Sequence, residues 1–241
     1  DIMELNIIDI VILVCIGISL ISGMYRGFLA SGLTTVGFFG AFFGAQSFYP
    51  RLATAIRSNS SLMNVFTYYL DAESLFSTVG LSNAPVETAA QTGTLSRAVS
   101  ELSGLPNSII TALQSNISRQ TFESMGYTTI GDYLNQTILI AVVNVVSFIV
   151  LFIVAYIVLQ LIVNLLNNVF HFPLLKHFDW ALGGIFGLVR GYVIVALILA
   201  VIPMAMSIID LTIVDELISQ SALAGFFPDD FVIGSIILRL T

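Results

Sequence analysis

From Ile138 to Leu166 the chain reads ILIAVVNVVSFIVLFIVAYIVLQLIVNLL, without one charged side chain. A helix needs about 20 apolar residues to cross the roughly 30 Å hydrocarbon core of a bilayer. This run exceeds that length, and a soluble core does not produce such stretches. In lipid every backbone polar group must find its partner within the protein, so the run predicts a membrane-spanning α-helix. Three more runs have the same character: Ile7 to Gly23, Phe28 to Phe48, and a fourth that begins within Ala181 to Gly191 and ends near Ile209, with Pro203 toward its exit. The whole chain agrees, since 57% of its 241 residues are hydrophobic and 10% are charged; an ordinary soluble domain carries about 25% charged residues. The predicted fold class is all-α: a polytopic membrane protein with four transmembrane helices in two hairpins (residues 1–48 and 138–209) and an extracytoplasmic helical cap.

The first run has no basic region before it and no small-residue cleavage site after it, so it reads as a retained span. The lone Cys15 lies inside that run; it forms no disulfide within the chain and reads as a small apolar helix residue. The net charge of -7 argues against nucleic acid as a partner. Orientation follows from basic residues in short connections. The turn MYRG carries Arg26, and NNVFHFPLLKHFDW carries Lys176, His171 and His177. Both are predicted to face the cytoplasm, which leaves both termini outside. Arg51 and Arg57 stand at the head of a long segment, and long segments cross largely regardless of charge.

Residues 49–137, rich in Ser, Thr and Asn, are predicted to be the extracytoplasmic helical insertion. Helical spacing runs through PRLATAIRSNSSLMNVFTYYL, and a further helix is expected from about Pro106 to a stop at Gly126. NAPVETAAQTG reads as a loop or the start of another helix. Triplets of the glycosylation type at Asn59, Asn116 and Asn135 read as chance matches. Residues 210–241 are predicted to be an amphipathic tail at the outer surface or packed on the cap.

Glycines recur at every fourth position in LGGIFGLVRGY (Gly183, Gly187, Gly191), and Gly37, Gly40 and Gly44 punctuate the second run. Small residues four apart let helix backbones approach closely in lipid. Packing within the bundle is the simpler use; homo-oligomerisation through a glycine face is the other. Two turns share the pattern Arg-Gly-aromatic: Arg26-Gly27-Phe28 and Arg190-Gly191-Tyr192, with Asp9 and Asp179 upstream. Arg190 is expected at the cytoplasmic entrance of the fourth span, meeting lipid phosphate or Asp179. Eleven residues of helix would place those two roughly 16 Å apart, so the pair requires a bend. A pair with Asp9 would require a deeply buried arginine. On the third run Asn144, Gln160 and Asn164 form the candidate polar face, for hydrogen bonds between helices or for a wet path.

No nucleotide-binding loop, HExxH, GxSxG or CxxC occurs, and the chain reads as no enzyme, with no cofactor. His171, His177 and Asp179 make too poor a set to predict a metal.

NIIDIVILVCIGISLISGMYRGFLASGLTTVGFFGAFFGA and FDWALGGIFGLVRGYVIVALILAV resemble the colicin V production protein family. Asn6, Asp9, Gly23, Arg26, Gly27 and Phe28 carry the likeness in the first stretch, and Asp179, Gly183, Gly187, Arg190 and Gly191 carry it in the second. The resemblance implies a four-span protein of the bacterial plasma membrane associated with toxin production or export. Trp180 departs from the family's basic residue after the aspartate, and the likeness does not extend to residues 49–137. The expected function is a non-enzymatic scaffold or accessory factor of secretion and envelope homeostasis, bound to the lipid bilayer and to an unidentified protein partner. The alternative is a small oligomeric channel or transporter along the polar face of the third span.

Overall fold

The computed structural model describes residues 6–69, 83–100, 110–111, 113–114, 128–169, 178–206 and 212–227. Its regular structure there is helical: α1 (Ile7–Arg57), α2 (Ser60–Tyr69), α3 (Val86–Gln91), α4 (Thr94–Ser100), α5 (Ile130–Val169), α6 (Asp179–Met206), α7 (Thr212–Ser219) and a 3-10 turn, Ala224–Phe226. One isolated antiparallel bridge joins Pro85 and Thr129.

Three of these helices are long and apolar enough to cross a membrane: α1, α5 over Ile130–Leu165, and α6 over Asp179–Ile202. The expectation of four separate spans is therefore met in part. The first two apolar runs both lie in α1, which is broken at one residue, Gly27, with φ 77 and ψ 175. A left-handed φ costs an L-residue about 1–2 kcal/mol, and glycine avoids that cost. Helical geometry resumes on both sides of it. α5 begins at Ile130, two turns ahead of the expected Ile138.

The surface of these helices is that of a protein solvated by lipid. Ile18, Ile21, Val36, Ile153, Leu161 and Ile185 all point outward at half exposure or more. Contiguous apolar surface of this kind is not tolerated in water.

By packing, the chain divides into two units. One comprises Asp1–Tyr49, Phe148–Ala200 and Thr212–Phe231; the other comprises Pro50–Ser147, Val201–Leu211 and Val232–Thr241. In the first, the glycine-rich second part of α1 packs its phenylalanines on α5. Phe38 meets Phe152 and Tyr156 edge-on at 5.3 and 5.8 Å, and Phe42 meets Phe148 at 5.7 Å. In the second unit Val86, Leu95, Val99, Leu113, Ile130 and Tyr133 are buried, and the Tyr133 hydroxyl donates to the Leu113 carbonyl at 3.2 Å. Backbone bonds from Val86 to Thr128 and from Ile130 to Ala84 tie α3 to the start of α5. NAPVETAAQTG is thus a short lead-in and a helix. Asn59 begins α2: its side-chain oxygen accepts the N–H groups of Ser61 and Leu62 at 3.1 and 3.2 Å, a helix N-cap. Of the helix expected between Pro106 and Gly126, residues 110–111 and 113–114 are described, and they are helical. Asn116 lies outside the described residues.

Candidate functional site

The break at Gly27 is held from α6. Asp179, in the first turn of α6, accepts the Phe28 N–H on Oδ1 at 2.8 Å. A side chain at Gly27 would run into that same carboxylate. Beyond the break Phe28 packs on Phe186 at 5.6 Å.

From this point α6 is in contact with α1 on both sides of Gly27. On the first side, Gly183, Gly187 and Gly191 meet Gly27, Gly23, Ser19 and Ile16 in descending order of number. The backbones touch: a Cβ on Gly23 would stand 2.9 Å from the Gly187 Cα and 3.0 Å from its nitrogen. Ser19, Gly23 and Gly27 are themselves four apart, so the two small-residue rows interlock. On the second side the order ascends, from Phe28 at Asp179 to Ser31 at Gly183 and Thr34 at Arg190. The glycine row of α6 is therefore filled by the same chain. Gly37 packs on Leu159 and Val163, Gly40 meets Leu159, and Gly44 faces open space.

Close approach brings hydroxyls to the carbonyls of α6. Ser19 Oγ donates to the Gly187 carbonyl at 2.7 Å and Ser31 Oγ to the Gly183 carbonyl at 2.9 Å, with a longer bond from Thr35 to Phe186. Thr34 donates to the Ser31 carbonyl at 2.9 Å. Their remaining lone pairs serve Arg190. Its Nε reaches Ser19 Oγ at 3.4 Å and its Nη1 reaches Thr34 Oγ1 at 3.2 Å. Only 6% of Arg190 is exposed.

This corrects the expected place of Arg190. It is bonded to Ser19 and Thr34 and not to Asp179. α6 runs unbroken from Asp179, so Arg190 stands three turns inside the helix, and the bend that a pair with Asp179 requires does not occur. Arg26, by contrast, is exposed, beside the exposed Tyr25, Phe178 and Trp180. The hydrogen-bond partners of Arg190 are two neutral hydroxyls, with no carboxylate among them. A guanidinium inside a membrane protein with neutral partners alone is costly, by roughly 2.5–3.5 kcal/mol on insertion scales.

Asp9 ties the start of α1 to the tail. In the first turn of α1, Asp9 reaches back to accept the Asn6 N–H at 2.9 Å, one half of a capping box. Its carboxylate also accepts the Ser221 hydroxyl and the N–H groups of Leu223 and Ala222 at 2.5, 2.8 and 3.4 Å. Asn6 donates from Nδ2 to the Leu217 carbonyl at 2.7 Å. Tyr192 stacks on Phe227 at 4.8 Å, and Ile12, Val195, Ala196 and Ala224 close the cluster. The described part of the tail thus docks on α1 and α6.

Asn144, Gln160 and Asn164 do not share a face. On an unbroken α5, sixteen residues separate Asn144 from Gln160, about 24 Å along the axis and roughly 160° around it. Asn144 is buried, Gln160 half-buried and Asn164 exposed. The Gln160 Nε2 is buried with no hydrogen-bond partner. Ser19, Ser31, Thr34, Tyr156 and Ser221 escaped the sequence reading. Ser19 carried a signal, four residues before Gly23; a lone hydroxyl elsewhere on an apolar helix carries none. Among the described residues no three of His, Cys, Asp and Glu gather to hold a metal. His171, Lys176 and His177 lie outside them.

The colicin V production protein family matches the chain over residues 8–84 and 122–229, most of its length. No curated protein and no solved structure matches it.

Proposed function

The chain belongs to the colicin V production protein family, and from that premise we propose a non-enzymatic scaffold of the bacterial plasma membrane serving toxin production, secretion and envelope homeostasis. The observation that carries this reading is how the polar side chains between α1 and α6 are used. Ser19, Ser31, Asp179 and Asp9 each engage the chain's own backbone. Residues so engaged fix a shape; a transport path needs them turned to water.

The proposal includes four crossings. Contacts of α6 descend along α1 before Gly27 and ascend after it, which supports two antiparallel segments folded at that residue. The exposed Arg26, Tyr25, Phe178 and Trp180 around the fold have the composition of a membrane interface. With Arg26 and Lys176 inside, both termini lie outside and residues 49–137 form an extracytoplasmic cap.

A channel or transporter along α5 has one observation in its favour, the unpartnered Gln160 Nε2. Its path would have to pass from the Gln160 side of the helix to the opposite Asn144 side, which favours the scaffold. The test is secretion in a strain that carries the colicin V determinants and has lost its own family member. Wild-type protein and the double variant Asn144→Leu, Asn164→Leu are both expected to restore toxin to the medium. Failure of the double variant at normal abundance supports the transporter, and failure of the wild type removes the reading.

A further inference from the structure

We propose that Arg190 and Gln160 form a binding site for one oxyanion, a carboxylate or phosphate group, inside the unit built from α1, α5 and α6. Arg190 carries five N–H donors and a fixed positive charge. Its two hydrogen bonds, at 3.4 and 3.2 Å, go to neutral hydroxyls. Charge-assisted bonds to carboxylate or phosphate ordinarily close to about 2.7–2.9 Å. The hydroxyl protons of Ser19 and Thr34 are already directed at backbone carbonyls, so the pair supplies lone pairs and no negative charge.

Gln160 is placed on the same side. Tyr156, one turn before it on α5, packs on Phe38, one turn after Thr34 on α1. Leu159 and Val163 lie against Gly37, in the turn that follows Thr34. Gln160 lies between these contacts along α5, level with the turn of α1 that holds Thr34. Its buried amide offers two donors and has no acceptor. Among the described residues of this unit, Asp9 and Asp179 are committed to Leu223 and Phe28 respectively. Among the described residues the interior thus presents one cation and an unpartnered amide donor, and its one buried carboxylate, Asp9, is committed elsewhere. A two-oxygen acid fits that set, since guanidinium forks match carboxylate and phosphate geometry.

Such a group reaches the site from water as a free ion or from the bilayer as an acidic lipid, and the test separates the sources. The full chain in detergent micelles is unfolded thermally, followed by the fluorescence of Trp180, its one tryptophan. The probes are sodium acetate and sodium phosphate against matched sodium chloride, and oleate and dioleoyl phosphatidic acid against oleyl alcohol. At least one acid is expected to raise the midpoint saturably, by roughly 5–10 °C at a hundredfold excess over its Kd. Gln160→Leu and Arg190→Lys are each expected to raise the half-saturating concentration at least tenfold. Removing an unpartnered amide does not threaten folding, so Gln160→Leu decides alone if Arg190→Lys fails to fold. A rise with acetate or phosphate identifies a water-borne anion; a rise confined to oleate or phosphatidic acid identifies a lipid. The proposal falls if no acid gives a rise, if chloride or oleyl alcohol reproduces it, or if a folded variant leaves it unchanged.

Discussion

Gly23→Ala is the substitution whose outcome the backbone contact between α1 and α6 fixes most tightly. The added methyl would overlap the Gly183 carbonyl and stand 2.9 Å from the Gly187 Cα. Carbon atoms prefer roughly 3.5–4.0 Å, so the helices must part by about 1 Å, and both obstacles are backbone. Overpacking of this kind costs about 1–3 kcal/mol. Parting also stretches the bonds from Ser19 to Gly187 and from Ser31 to Gly183, each worth about 0.6–1.7 kcal/mol in a membrane protein. Alanine returns roughly 1 kcal/mol through helix propensity. The net expectation is a loss of about 2–4 kcal/mol, or roughly 30- to 1,000-fold in the folded-to-unfolded ratio. Gly17→Ala is the control on the same helix: nothing lies within 4 Å of its added methyl, so only the propensity gain remains. Unfolding in mixed micelles with increasing dodecyl sulfate, followed by Trp180 fluorescence, compares the two. Equal stability of the two variants would refute the backbone contact.

Gly27→Ala combines a left-handed φ of 77 with a collision on the Asp179 carboxylate. Adding Asp179→Gly should recover part of the loss and leave the dihedral cost of about 1–2 kcal/mol; full recovery would show that the backbone conformation is unimportant. Ser221→Ala removes one hydrogen bond to the Asp9 carboxylate. It is expected to cost about 1.5–3 kcal/mol and to speed protease cleavage between 220 and 223, whereas unchanged cleavage would mean that the Leu223 and Ala222 N–H bonds and the Tyr192 stack hold the tail without it. For the four-crossing proposal, Tyr25→Cys and Asn59→Cys, each with Cys15→Ser, should react with an impermeant maleimide from the cytoplasmic and outer sides respectively. Labelling of both from one side would exclude the fold at Gly27.

The membrane-crossing helices were legible because their signal is local. A run such as Ile138 to Leu166 needs no partner to be recognised. The glycine rows were legible as close-packing faces for the same reason, but spacing does not say what packs there. The partner of Gly187 proved to be Ser19 and Gly23, far away in sequence. Arg190 was misplaced because a charge in an apolar run is ordinarily a border residue. The hydroxyls that admit it to the interior sit on the two halves of another helix. The polar face of α5 was read from residue type, and helical periodicity separates Asn144 from Gln160. The docking of the tail left no trace in periodicity, since Asp9 and Ser221 meet only in three dimensions.

That last contact sets an order of events during synthesis. Asp9 enters the membrane at the head of the first apolar run, and the hydroxyl that meets its carboxylate is 212 residues further along the chain. At about 5–20 residues per second, the ribosome takes roughly 10–40 s to deliver it. Throughout that interval the newly inserted helix displays a carboxylate lacking its Ser221 and Leu223 partners. Products terminated before Ser221 retain that defect permanently. The latch can therefore close only after synthesis has passed Leu223.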